Sequence, residues 1–151
     1  MTSMVVMETG RFLISTDRSK LDLEVIHRFL ASSYWAAGIQ RATVVRSIEN
    51  SLCFGVYDHA NQIGFARVIS DFATYAYIAD VFILEPYRGR GLGKELMASI
   101  IAHPDLQGLR RWSLGTRDAQ GLYAQFGFEP VVNTPARTVM EIVEPGIYSR
   151  S

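Results

Sequence analysis

Between residues 85 and 96 the chain reads EPYRGRGLGKEL, with glycines at 89, 91 and 93 set among Arg88, Arg90 and Lys94. VFIL before it reads as the end of a strand, and KELMASIIAH after it as a helix, so the glycines stand where a strand turns into a helix. The first amides of a helix have no internal partners and carry partial positive charge, which suits an anion. Glycine removes the side chains that would hold an anion away, and arginine grips a phosphate through two parallel hydrogen bonds. The chemistry predicted here is capture of a phosphate-bearing ligand; the alternative is a turn that only punctuates.

Other reactive residues are fewer. Asp80 interrupts the apolar run YIADVFIL, and a carboxylate there must be paired, solvated or functional. Glu49 and Asp71 lie at element ends and read as solvated. The single cysteine, Cys53, lies in LCFGVY with no basic neighbour in sequence, so it reads as a buried, inert thiol. His27, His59 and His103 lack metal-ligand spacing with one another or with Cys53, and no metal site is predicted.

Two phosphate motifs fail on spacing. A Walker loop needs glycine at 88 and serine or threonine at 95, where Arg88 and Glu95 stand. A dinucleotide fingerprint begun at Gly89 needs a small residue at 94 and meets Lys94. What matches is Arg88-x-x-Gly91-x-Gly93. This stretch resembles the signature of the GNAT superfamily of acetyl-CoA-dependent N-acetyltransferases, [RQ]-x-x-G-x-[GA] at a strand-to-helix junction. LYAQFGF (122 to 128) is similar to that family's L-Y-x-x-x-G-F segment, and the order of elements agrees over about residues 11 to 143.

The resemblance implies that amides across Arg88, Gly89, Arg90, Gly91, Leu92, Gly93 and Lys94 surround the pyrophosphate of coenzyme A. It further implies that main-chain groups of Val81, Phe82 and Ile83 meet the pantetheine arm, in a gap between this strand and LRRWSLGT. Tyr123 aligns with the family's general acid, which protonates the leaving thiolate; the other reading of Tyr123 is a core aromatic. Asp80 stands on a strand where family members often carry an acidic residue, and is either a base or water-positioner or a structural hydrogen-bonding group. Many members have asparagine seven positions before the tyrosine; here that position is Thr116, a shorter ligand for the arm. The segment between the first two helices forms the acceptor side of the family's cleft, so Tyr34 and Trp35, with Tyr75 and Tyr77 sharing one strand face, are candidate acceptor contacts or plain packing.

These residues need a scaffold. GRFLIST (10 to 16) predicts a first strand. Residues 21 to 33 place Leu21, Val25, Ile26, Phe29 and Leu30 on one helical stripe, with Asp17 or Ser19 as its cap. Residues 40 to 50 predict a second helix. LCFGVYD and QIGFARVISD form a hairpin through His59, and residues 74 to 84 a long third consecutive strand. After the glycine turn come a helix that Pro104 helps to stop, a strand over 109 to 116, a short helix over 118 to 126 capped by Asp118, and two closing strands. The expectation is an α/β (α+β) GNAT-like fold over 1–151 as a single domain: a central, mostly antiparallel mixed sheet of six to seven strands, splayed in the middle, with about four helices on its faces.

With 151 residues the chain can bury one substantial core, and a zero formal net charge gives no global attraction to nucleic acid or membrane. The start has neither a basic flank nor a long apolar run, and a soluble cytoplasmic protein is expected. The reaction implied is direct attack of a primary amine, on a small molecule or a peptide N-terminus, on the thioester of acetyl-CoA. The alternative is a non-catalytic acyl-CoA-binding or sensing module on the same fold. A homodimer is expected by analogy alone.

Overall fold

In a computed structural model that describes residues 4–149, eight strands form one sheet in the order β1-β2-β3-β4-β5-β6-β8-β7. Residues 1–3 and 150–151 of the expected domain lie outside the described residues. The strands are β1 (Val5–Thr9), β2 (Phe12–Ser15), β3 (Leu52–Asp58), β4 (Asn61–Ser70), β5 (Tyr75–Ile83), β6 (Arg111–Thr116), β7 (Glu129–Asn133) and β8 (Thr138–Val143). All neighbours are antiparallel except β5 and β6. The sheet is one strand larger than expected because Val5–Thr9 folds back on β2 around Gly10, whose φ is +56°. Its side chains are half-buried or exposed, so the apolar alternation that would announce a strand is weak.

Helices α1 (Leu23–Ser32) and α2 (Arg41–Glu49) cover one face, where Ile26, Leu30, Val44 and Ile48 pack on Cys53, Phe65 and Phe82. Helices α3 (Leu92–Ile101) and α4 (Gln120–Ala124) cover the other, with Leu96, Met97, Ile100 and Tyr123 against Phe54, Val68, Ile78 and Leu114. The cap of α1 is Asp22, whose carboxylate accepts the Glu24 and Val25 amides. Asp17, expected in that role, instead accepts the amide and hydroxyl of Ser19 and closes the short turn before it. Asp118 caps nothing: Thr116 Oγ1 accepts the Ala119 amide at the entry to α4. His103 lies beyond α3, buried, its Nδ1 accepting the Asp105 amide and its ring edge-on to Phe54. Asp71 accepts the amides of Ala73, Thr74 and Tyr75 and organises the β4–β5 turn. Among the described residues no helix is long and apolar enough to cross a membrane.

Two irregularities open the sheet where the chemistry was expected. Parallel pairing of β5 with β6 runs from Tyr75↔Arg111 to Ile78↔Leu114 and stops, leaving Ala79–Ile83 unpaired on that side. On the other side β5 carries an extra residue, since Arg67 pairs with Ala79 and Phe65 with Phe82. The bulge centres on Asp80, in the left-handed region at φ +56°, an uncommon conformation for a residue with a side chain. It reverses the strand's facing: Ala76 and Ile78 meet the α3 side, whereas Phe82 meets the α1 side.

Burial of ionisable groups gives the core a pH dependence. Cys53 is 5% exposed, and desolvation pushes its thiol from 9.0 up to about 11. A raised folded-state value means that the thiol stabilises the fold fully below pH 9 and loses that contribution as pH rises through 11. Cys53 alone should remove about 2 kcal/mol by pH 11, at about 1.4 kcal/mol per pH unit. Denaturant titrations between pH 8 and 11 should show this decline, and Cys53→Ala should make it shallower; an unchanged slope would contradict the burial argument.

Candidate active site

The splay between β5 and β6 opens into two connected spaces. A cleft of about 790 Å3 is lined by Val81, Phe82 and Ile83 of β5, by Arg88, Gly89, Gly91, Leu92 and Gly93, and by Leu122 and Tyr123 of α4. A smaller pocket of about 220 Å3 is lined by Tyr77 to Val81, Leu114 to Thr116, Asp118, Ala119, Tyr123 and Arg137. Tyr34, Trp35, Val81 and Tyr123 border both.

At one end of the larger cleft, Gly91 caps α3 with φ +79° and Gly89 has φ +80°. Neither would meet protein atoms within 4 Å if it carried a Cβ, so a side chain there would project into open space. The Glu95 amide donates to the Gly91 carbonyl at 3.0 Å and opens the helical bonding, and the amides before it are the donors that a helix start leaves without internal partners. Tyr87 fixes the approach to the turn by donating its hydroxyl to Asp58 at 3.1 Å. Arg88 lines the cleft, but its Nε donates to the Ile83 carbonyl at 2.9 Å, so that carbonyl already has a partner. Arg90 stacks at 6.0 Å over Tyr87, and neither Arg90 nor Lys94 borders the cleft.

At the other end stands Tyr123, 7% exposed and edge-on to Phe128. Desolvation, followed by the charges of Tyr34 and Asp118, pushes its hydroxyl up to about 12. The phenol therefore keeps its proton throughout the neutral range.

Asp80 is held by two donors: Arg67 Nε reaches Oδ2 at 2.8 Å and Trp35 Nε1 reaches Oδ1 at 2.9 Å. Trp35 packs at 5.1 Å on Tyr34, whose hydroxyl accepts the Arg117 amide at 3.2 Å while the Arg117 guanidinium lies 3.9 Å over its ring. The sequence Asp80, Trp35, Tyr34, Arg117 thus forms a strap from β5 to the loop before α4. Thr116 borders the smaller pocket, its hydroxyl engaged with Ala119. Tyr75 borders neither space and lies under the Arg111 guanidinium at 4.5 Å. Tyr77 borders the smaller pocket, beside Gly115 and Arg137, which sequence reasoning did not single out. Phe29, Ser32, Ser33 and Arg117 are likewise additions to the larger cleft. Among the described residues no cluster of three or more His, Cys, Asp or Glu could hold a metal.

The model of the acetyltransferase (GNAT) domain matches residues 49–130. A GNAT-family protein of Xanthomonas campestris pv. campestris, known from a crystal structure, is 53% identical, with 83% of this chain and 89% of that one covered and a TM-score of 0.79. A Gibberella zeae protein named as an acetyltransferase is 30% identical over an alignment of 139 positions, with 77% of this chain and 77% of that one covered. A GNAT acetyltransferase of Elizabethkingia anophelis with acetyl-CoA bound shares the fold at 11% identity, with 90% of this chain and 100% of that one covered and a TM-score of 0.65.

Proposed function

The chain belongs to the GNAT family of acetyltransferases, and from that premise we propose that it moves an acetyl group from acetyl-CoA to a primary amine by direct attack on the thioester. The observation that carries this reading is the continuous cleft that runs from the glycine cap of α3 to Tyr123 along the unpaired stretch of β5. Pyrophosphate lies at the α3 start, and the pantetheine arm takes the place of a strand beside Ala79–Ile83. The thioester then reaches Tyr123 at the junction with the smaller pocket, which receives the amine. Arg88, Gly89, Gly91, Leu92 and Gly93 hold the phosphates, with Arg90 and Lys94 contributing charge from the rim.

In the chemical step the amine nitrogen forms a bond to the thioester carbonyl carbon, and the C–S bond of the tetrahedral intermediate then breaks. Main-chain amides on the splayed strand stabilise the oxyanion. Tyr123 donates a hydrogen bond to the departing sulfur, and the amine proton leaves through water. Asp80, with both oxygens engaged, acts as a positioning residue: it fixes the bulge and holds Trp35 over the junction.

Calorimetric titration with acetyl-CoA, paired with thiol release against small amines and N-terminal peptides, tests the reading. Saturable binding with amine-dependent thiol release is expected. Binding without release across the panel would instead make the chain an acyl-CoA-sensing module, and no binding would remove the cleft assignment.

A further inference from the structure

We infer that the acceptor amine carries an anionic group, and that Arg137 receives it in the 220 Å3 pocket. The inference rests on the transfer reading above and adds a substrate class to it. A methyl group placed on Gly115 would lie 3.7 Å from Arg137 Nη1 and 3.7 Å from Tyr77 Oη, so a guanidinium and a phenol converge over a floor kept bare by glycine. Both are hydrogen-bond donors, and a guanidinium offers two parallel N–H groups to a carboxylate or phosphate.

Among the described residues no carboxylate pairs with Arg137. The acids within reach of this part of the sheet have other partners: Asp80 binds Arg67 and Trp35, Asp118 pairs with Arg117, and Glu141 pairs with Arg111 and Ser113. Of the charged groups that line the pocket, the two carboxylates, Asp80 and Asp118, are each committed to an arginine, and the Arg137 guanidinium is left with its positive charge unpaired. Such a charge disfavours a bare ammonium and favours the neutral amine that acetyl transfer requires. An anion elsewhere on the acceptor would meet Arg137 while that neutral amine faced the thioester.

The arginine is also rooted to the catalytic helix. Its amide donates to Thr134 Oγ1, and its carbonyl accepts from the Thr134 amide and hydroxyl, which closes the β7–β8 turn. The adjacent Thr138 hydroxyl accepts from Gln120 Nε2 of α4 and donates to Asn133 Oδ1 on the turn's far side. Pocket size agrees, since about 220 Å3 lies below the usual range of roughly 300–1,000 Å3 for ligand sites and suits a small molecule.

The test measures thiol release from acetyl-CoA with α- and ω-amino acids, each beside the amine that lacks its carboxylate. Aminoethyl phosphate is set against ethanolamine, to tell phosphate from carboxylate, and diamines complete the panel. The anionic member of at least one series should have a kcat/KM at least tenfold above its neutral counterpart. Arg137→Gln should raise KM for that substrate at least tenfold and shrink the preference toward one, with acetyl-CoA affinity by calorimetry unchanged. Arg137→Lys should restore part of the loss, and Arg137→Glu should turn the preference toward diamines. The inference is overturned if protein that binds acetyl-CoA acetylates no anionic amine, or acetylates plain amines as well as their anionic counterparts. It is also overturned if Arg137→Gln leaves the preference intact. Failure to bind acetyl-CoA would be a different result, striking the transfer reading itself.

Discussion

Gly91→Val is expected to weaken acetyl-CoA binding at least a hundredfold while leaving a folded protein. Two effects act at this position and can be separated. The first is backbone strain, because Gly91 sits at φ +79°, where a β-branched residue costs about 1–3 kcal/mol. The second falls on the ligand alone: a Cβ there meets nothing within 4 Å, and the residue borders the cofactor cleft, so the added atoms enter space assigned to phosphate. They also stand in front of the orphan amides that begin α3. A hundredfold loss corresponds to about 2.7 kcal/mol of binding free energy. Gly91→Ala shares most of the strain with less bulk, so affinity should fall in the order Gly, Ala, Val while the two variants melt within a few degrees of each other. Near-normal acetyl-CoA affinity in Gly91→Val would withdraw the pyrophosphate from this turn.

The turn was legible in sequence because its chemistry is local: helix start, glycines and cations lie within nine residues, and none depends on a distant partner. The β3–β4–β5 run of neighbouring strands was legible for a related reason, as short connections between apolar runs leave few arrangements. Asp80 marks the limit. Its identity drew notice, but its two partners stand 13 and 45 residues away, and its left-handed backbone breaks the alternation from which facing is read. Simple alternation would put Asp80 and Phe82 with Ala76 and Ile78; the bulge moves them to the opposite face. Arg137 was silent for another reason. An arginine in a polar turn reads as solvated, and only the meeting of the β7–β8 turn with Gly115 of β6 brings its guanidinium beside Tyr77. Thr116 was singled out through the resemblance alone, as a shorter ligand for the arm, and its acceptance of the Ala119 amide, three residues on, was not foreseen.

Removing one oxygen atom, in Tyr123→Phe, should lower kcat by about a hundredfold, at the lower end of the roughly 10²–10⁴ range for a positioned acid. The ring stays, so its contact with Phe128 and its place in the core stay too. KM for the amine and affinity for acetyl-CoA should change little, the pattern of an interaction made only in the transition state. The raised value of about 12 defines how the hydroxyl acts. A thiol titrates near 8.5, so complete proton transfer from Tyr123 to a free thiolate would run uphill by about 3 to 4 pH units. The hydroxyl therefore works as a hydrogen-bond donor to sulfur while the C–S bond stretches, and the proton balance closes through the amine. The same shift keeps the tyrosine protonated beyond its ordinary 10.0, so its ionisation should place no falling limb on the kcat profile below about pH 10. Unaltered turnover in Tyr123→Phe would reduce the residue to packing, and a falling limb near pH 8 that vanished with the hydroxyl would mean that burial does not set its acidity.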